Sequence, residues 1–175
     1  MPNKSQLYFI RGGASSVVGR GEISLSDAIF PDQDSAVVAD INNRLAVIFP
    51  SAEESVALFP GVAASSYTGG DATLSLFWAA NVNVGSVNWL VSFERNNALG
   101  PNINADSFAA EVSSPSSAPP VVGILRRAVF VLNNADLDGL MSGDPYRFKI
   151  RRDGGTPPDT MAGDAQLIAL SLNGV

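Results

Sequence analysis

From Tyr146 to Arg151 apolar and basic residues alternate without a break: Tyr146, Phe148 and Ile150 take one phase, Arg147, Lys149 and Arg151 the other. Successive side chains of an extended chain point to opposite faces, so this stretch reads as a half-buried strand, apolar inside and basic outside. The same period of two runs through residues 73–79, where Leu74, Leu76 and Trp78 share a face, and residues 87–93, where Val87, Trp89, Val91 and Phe93 do. No apolar stripe at helical spacing is sustained for three turns. The chain must therefore bury its core between sheets.

Further strands are expected at residues 45–49, 56–59, 108–112, 124–132 and 166–172, with weaker ones at 7–10 and 36–39. Between them lie turn signals: Thr68-Gly69-Gly70-Asp71, Asn96-Asn97, Gly100-Pro101, a Ser/Pro-rich run over 113–120, and Asp153-Gly154-Gly155 before Pro157-Pro158. Many short strands so punctuated give an all-β fold, an antiparallel β-sandwich of jelly-roll-like form. One helical turn is expected over residues 133–141, capped by Asn134 or Asp136. Residues 1–35 differ: Arg11 to Gly21 is small, glycine-rich and weakly periodic. They are read as an N-terminal arm or extended entry strand, ordered by a partner or lying on the domain itself as a surface loop, and residues 36–175 as the sandwich domain.

At 175 residues the chain suits one domain with a sizeable core. It has neither cysteine nor histidine, which removes disulfides, thiolate and imidazole metal sites, and the Ser-His-Asp and Cys-His catalytic arrangements. No cofactor is expected. Seventeen acidic residues against eleven basic ones give a net charge of −6, which argues against nucleic acid as a partner. No stretch approaches the roughly 20 apolar residues of a membrane helix, and the first residues lack the apolar core of a signal peptide, so no membrane partner is expected.

Four groups of residues carry candidate chemistry. Asp136-Leu137-Asp138-Gly139 has the alternate aspartates of a calcium loop but lacks its later ligands, so a structural turn is the better reading. The basic face of Arg147, Lys149 and Arg151, joined by Arg126 or Arg127, reads first as a solvated face paired to Glu94, Asp153 or Asp164. Otherwise, with Arg11 and Arg20 of the arm, it reads as a contact for an acidic protein surface, with phosphate or an acidic glycan as further candidates. Trp78 and Trp89 are in phase with core residues and are expected inside. Glu53-Glu54, or Glu94 with Glu111, match a glycosidase carboxylate pair by residue type alone, and the chain is read as not an enzyme. Asp159 and Asp164 are expected to hold the long connection before the last strand, through backbone amides or Arg151 or Arg152.

Several segments together carry a resemblance: Ser66-Tyr67-Thr68-Gly69-Gly70 before a strand ending Phe77-Trp78-Ala79-Ala80; Gly85-Ser86-Val87-Asn88-Trp89; Ala105-Asp106-Ser107-Phe108; Gly143-Asp144-Pro145 running on to Asp153; and Asp159 to Leu167. In this order they resemble small β-sandwich structural proteins of tailed bacteriophages, over roughly residues 36–172. The resemblance implies a capsid decoration or cement protein of the virion, bound to the major capsid protein or other virion proteins. It also implies a homo-oligomer, a trimer by preference, and carries no catalytic residues. A tail or fibre-associated subunit and a carbohydrate-binding module are the alternatives.

Overall fold

A computed structural model describes residues 21–31, 36–97, 100 and 102–174. The chain is an antiparallel β-sandwich, jelly-roll-like, with ten strands among the described residues: β1 (Gly21–Ile23), β2 (Val37–Asp40), β3 (Leu45–Phe49), β4 (Glu54–Val62), β5 (Ala72–Ala80), β6 (Ser86–Arg95), β7 (Val112–Ser117), β8 (Arg126–Leu132), β9 (Pro145–Asp153) and β10 (Ala165–Gly174). Among the described residues the one helical element is a 3₁₀ turn, Leu25–Asp27, capped by the Ser24 hydroxyl.

One sheet has six strands in the order β2-β3-β10-β5-β8, with β1 also paired to β10; the other has four, β4-β9-β6-β7. Strands β3 and β1 share one side of β10: β3 pairs with Ala165 to Leu167, and β1 with Leu170 to Leu172. Between them the ladder slips at Ile168, a bulge that lets one strand serve two partners. The connections over residues 50–53, 81–85, 118–125 and 154–164 all pass from sheet to sheet at one end, here the crossing end. The β2–β3 hairpin and residues 63–71, 96–111 and 133–144 lie at the other, the hairpin end.

The inner faces follow the alternation in the sequence. Leu74, Leu76 and Trp78 of β5 meet Val87, Trp89, Val91 and Phe93 of β6 and Tyr146, Phe148 and Ile150 of β9. The two indoles cross edge to face at 5.8 Å, Phe49 stands on Trp89 at 5.1 Å, and Phe93 stacks on Phe148 at 5.0 Å. Such pairs add about 0.5–1.5 kcal/mol each beyond the apolar area they bury. Both tryptophans are fully buried.

Several elements depart from expectation. The seventh strand occupies Val112–Ser117, inside the run read as a loop, and residues 108–111 lead into it. As an edge strand β7 accommodates Pro115, whose missing N–H faces away from β6. Residues 133–141 form consecutive turns in place of a helix, with Asp138 at φ 55° and Gly139 at φ 65°. Residues 21–31 take the entry-strand form of that expectation: β1 belongs to the six-stranded sheet and Leu25 to the core, so the described part of the segment before residue 36 is integral to the sandwich. Ile29 bridges Leu58, and the Ala36 amide donates to the Val56 carbonyl. The strand expected at residues 7–10, the start of the arm, and Arg11 and Arg20 lie outside the described residues.

Arg152 corrects the reading of the strand that carries it. It shares the inward phase of Ile150 and is fully buried. All five guanidinium N–H donors are used: Nε and Nη2 donate to the two carboxylate oxygens of Asp159, Nη1 to the carbonyls of Phe49 and Gly163, and Nη2 also to Met161. Asp159 in turn accepts from the amides of Asn88 and Met161. One ion pair thus fastens β3, β6, β9 and the 154–164 connection together. Asp164 pairs with Asn81, through the Asn81 Nδ2 and its own amide, and not with an arginine.

Candidate functional site

The outer face of the four-stranded sheet brings Arg147, Lys149 and Arg151 together as the alternation requires, and supplies each with carboxylates. Arg147 is bonded to Glu94 and lies 2.6 Å from Asp106; Lys149 is 3.1 Å from Glu111. Arg151 reaches Glu111 at 2.6 Å, Glu54 at 2.9 Å and Asp153 at 3.7 Å. The Phe108 ring lies under both Arg147 and Lys149, at 4.8 and 5.2 Å. The result is a surface with more carboxylates than cations, on which, among the described residues, no cation is left over.

Burial pushes the Glu94 carboxyl up, but bonds from Arg147 and from the amide and hydroxyl of Ser107 outweigh it and hold it below the usual carboxylate range. The Arg151 bond, reinforced by Lys149, does the same for Glu111. Both acids stay ionised as arginine partners, which leaves neither as a proton donor to a glycosidic oxygen. Glu53 is exposed and Glu54 serves Arg151.

At the hairpin end Asp136 accepts the Asn133 amide and Asp138 the Arg95 amide, while Asp144 takes the Arg95 guanidinium and the Met141 amide. Of the carboxylates of the calcium-like motif, Asp136 therefore closes its own turn and Asp138 ties that turn to the end of β6. Among the described residues no group of three or more acidic side chains is placed to hold a metal ion.

The outer face of the six-stranded sheet is arranged differently. Phe77 breaks the phase of Leu74, Leu76 and Trp78 and points outward, half-buried, between Ala169 of β10 and Arg127 of β8. The Arg127 guanidinium lies 5.8 Å from its ring centre and donates through Nε and Nη2 to the Ser75 hydroxyl at 3.1 and 2.8 Å. Around Phe77 the sheet surface is made of small or polar residues: Thr73, Ser75, Ala79, Ala169 and Ser171. The split between β1 and β3 opens beside it as a cleft of about 630 Å³, floored by Phe77, Ile168 and Ala169 and bordered by Leu45, Ser171 and Arg44.

Charge sets this face apart. Among the described residues Arg95, Arg147, Lys149, Arg151 and Arg152 each have a carboxylate within ion-pair distance; Arg44, Arg126 and Arg127 have none. An aromatic ring flanked by uncompensated guanidinium groups and hydroxyls can stack on an apolar ring face and hydrogen-bond an anionic substituent. The sequence signal for it was an aromatic out of phase with its strand's core positions.

This arrangement sits on a widely used scaffold. The chain is similar to a family 35 carbohydrate-binding module from Clostridium thermocellum, with a TM-score of 0.53 at 12% identity over 90% of this chain and 100% of that one. The likeness to the CBM35 from Paenibacillus barcinonensis has the same TM-score and identity, over 90% and 99%. A cycloisomaltooligosaccharide glucanotransferase from Paenibacillus sp. gives a TM-score of 0.55 at 14% identity over 89% of this chain, which spans 18% of that enzyme's length. At these identities what is shared is the β-sandwich. No protein-family model and no curated protein sequence matches the chain.

Proposed function

We propose that the chain is a non-catalytic carbohydrate-binding module whose ligand lies across the outer face of the six-stranded sheet. The observation that carries this reading is the half-exposed Phe77 at the floor of a cleft, with the uncompensated cations Arg44 and Arg127 beside it. The sugar ring would stack on Phe77, and carboxylate or sulfate groups would meet the guanidinium groups, so acidic glycans are favoured over neutral ones. The fold likeness supports the class of protein; the choice of acidic ligands rests on the arginines.

This reading is placed ahead of a virion structural role because the phage resemblance rests on strand and turn patterns that other sandwich proteins also need, whereas the cleft is a particular arrangement of side chains. The test is titration of polyuronates and sulfated polysaccharides against neutral glucans, followed by calorimetry. Binding of the acidic polymers that is lost in Phe77→Ala and weakened in Arg44→Gln supports the proposal. Equal affinity for neutral and acidic glycans, or no binding to either, overturns it.

A further inference from the structure

Sheet edges are where β-proteins guard against unwanted pairing, and among the described residues the end strands of the two sheets are guarded unequally. In the four-stranded sheet, β4 is covered by Ile29 and Ala36, and β7 is written in serine with Pro115. In the six-stranded sheet, the end strands β2 and β8 pair on one side only and carry exposed valines, with one carbonyl of β8, that of Val129, taken by Ser114 of β7.

We infer that two copies of this chain associate through β8, related by a twofold axis normal to the six-stranded sheet. The strand has the self-complementarity such an axis requires. Its outward middle is apolar, with Val129 41% and Val131 72% exposed, and Ile124 and Leu125 exposed just before it. Its start carries Arg126 and Arg127 without a carboxylate partner, and residues 118–132 contain no acid at all. Its end is acidic: Asp71 precedes Ala72, which pairs with Leu132, and Asp136 lies in the turn that follows β8. Neither aspartate is in an ion pair among the described residues.

A twofold runs the two β8 strands antiparallel, so the basic start of each copy faces the acidic end of the other, with the valines between them. The β2 edge lacks this polarity. Its charges, Asp40 and Arg44, both fall at the hairpin end, so a twofold there would set them against the apolar Val37 and Val38. The contact is made by side chains more than by an extended ladder, because the Val129 carbonyl already accepts the Ser114 hydroxyl. The association closes at two copies and replaces the threefold expected from the phage resemblance. It does not depend on the glycan reading.

Sedimentation equilibrium on the full chain tests it. The wild type should be a reversible dimer, Val131→Asp monomeric, and Arg126→Glu and Asp71→Lys each weaker by about tenfold, with affinity recovered in the Arg126→Glu/Asp71→Lys double variant. All of these side chains are exposed, and melting curves of the variants, unchanged from the wild-type monomer's, separate loss of contact from loss of fold. A wild type that stays monomeric, a trimer, a dimer indifferent to Val131→Asp, or a double variant no tighter than the singles overturns the inference.

Discussion

Arg152 and Asp159 stand inside the sandwich as a buried pair in which every donor is satisfied. Removing Arg152 strands the Asp159 charge together with three backbone carbonyls, a loss of about 3–5 kcal/mol. Arg152→Met is therefore expected to shift the urea midpoint sharply down, and Arg152→Met/Asp159→Asn to cost less than the sum of the single changes. Glu94 and Glu111 give a second measurable effect. Their carboxyls are held below the ordinary value of 4.5 when folded, so the stability they contribute is present in full above that value and is lost as pH falls through the folded pKa. The melting temperature should fall on acidification from about pH 5 to pH 3, and Glu94→Gln with Glu111→Gln should flatten that slope. Two residues show how far phase alone can be read. Phase with Tyr146, Phe148 and Ile150 places Arg152 inside, against the habit that arginine lies on the surface, and phase places Phe77 outside, against the habit that phenylalanine lies in the core. In each case geometry outweighed residue type. For Arg152 the compensating carboxylate, Asp159, lies in the connection just after its strand and was among the expected partners, whereas the Arg127 beside Phe77 comes from another strand, where no local pattern points.

Strands that follow the alternation were legible from the sequence, and the ones that were missed or shortened lie at edges. Residues 45–49 coincide with β3, and the interior strands β5, β6 and β9 contain the expected stretches. Central strands are buried on their inner face and paired on both sides, so their pattern is tightly constrained. Strand β7 is paired on one side only and tolerates serine and proline; β4 runs on through Pro60 and Gly61 for the same reason. The turns at 133–144 also belong to this scale. Asp144 bonds both the Arg95 guanidinium and the Met141 amide, so Asp144→Ala should destabilise by about 1–3 kcal/mol in chemical denaturation. With Asp136 and Asp138 committed to backbone amides, added calcium or a chelator should leave the melting temperature of the wild type where it is.

At the scale of the molecule, the sandwich class followed from periodicity, whereas the placement of residues 21–31 did not. The letters there show no sustained alternation, and their order comes from the edge that β10 offers beside its bulge. Sequence also could not tell the two outer faces apart. The face that looks basic in one strand is neutralised by acids from β4, β6 and the segment before β7, and the face with uncompensated cations is assembled from β3, β8 and β10. If β8 joins two copies, folding and association are linked, and the melting temperature should rise with protein concentration for the wild type and stay constant for Val131→Asp. A polyuronate in excess should raise it for Val131→Asp as well, and should weaken the concentration dependence of the wild type, since Arg127 borders both Phe77 and the β8 contact.

The network around Arg152 has a further effect on how the chain meets a protease. A connection such as residues 154–164, rich in glycine and lying at the end of a sheet, would ordinarily be the first place to be nicked. Here its Met161 and Gly163 carbonyls are held by a buried guanidinium, the Asp159 side chain is tied to β6 and β9, and the Met161 amide is held in turn by Asp159. Opening it for cleavage means exposing that charge, so limited proteolysis should spare this connection, and early cuts should fall at the opposite end of the sandwich.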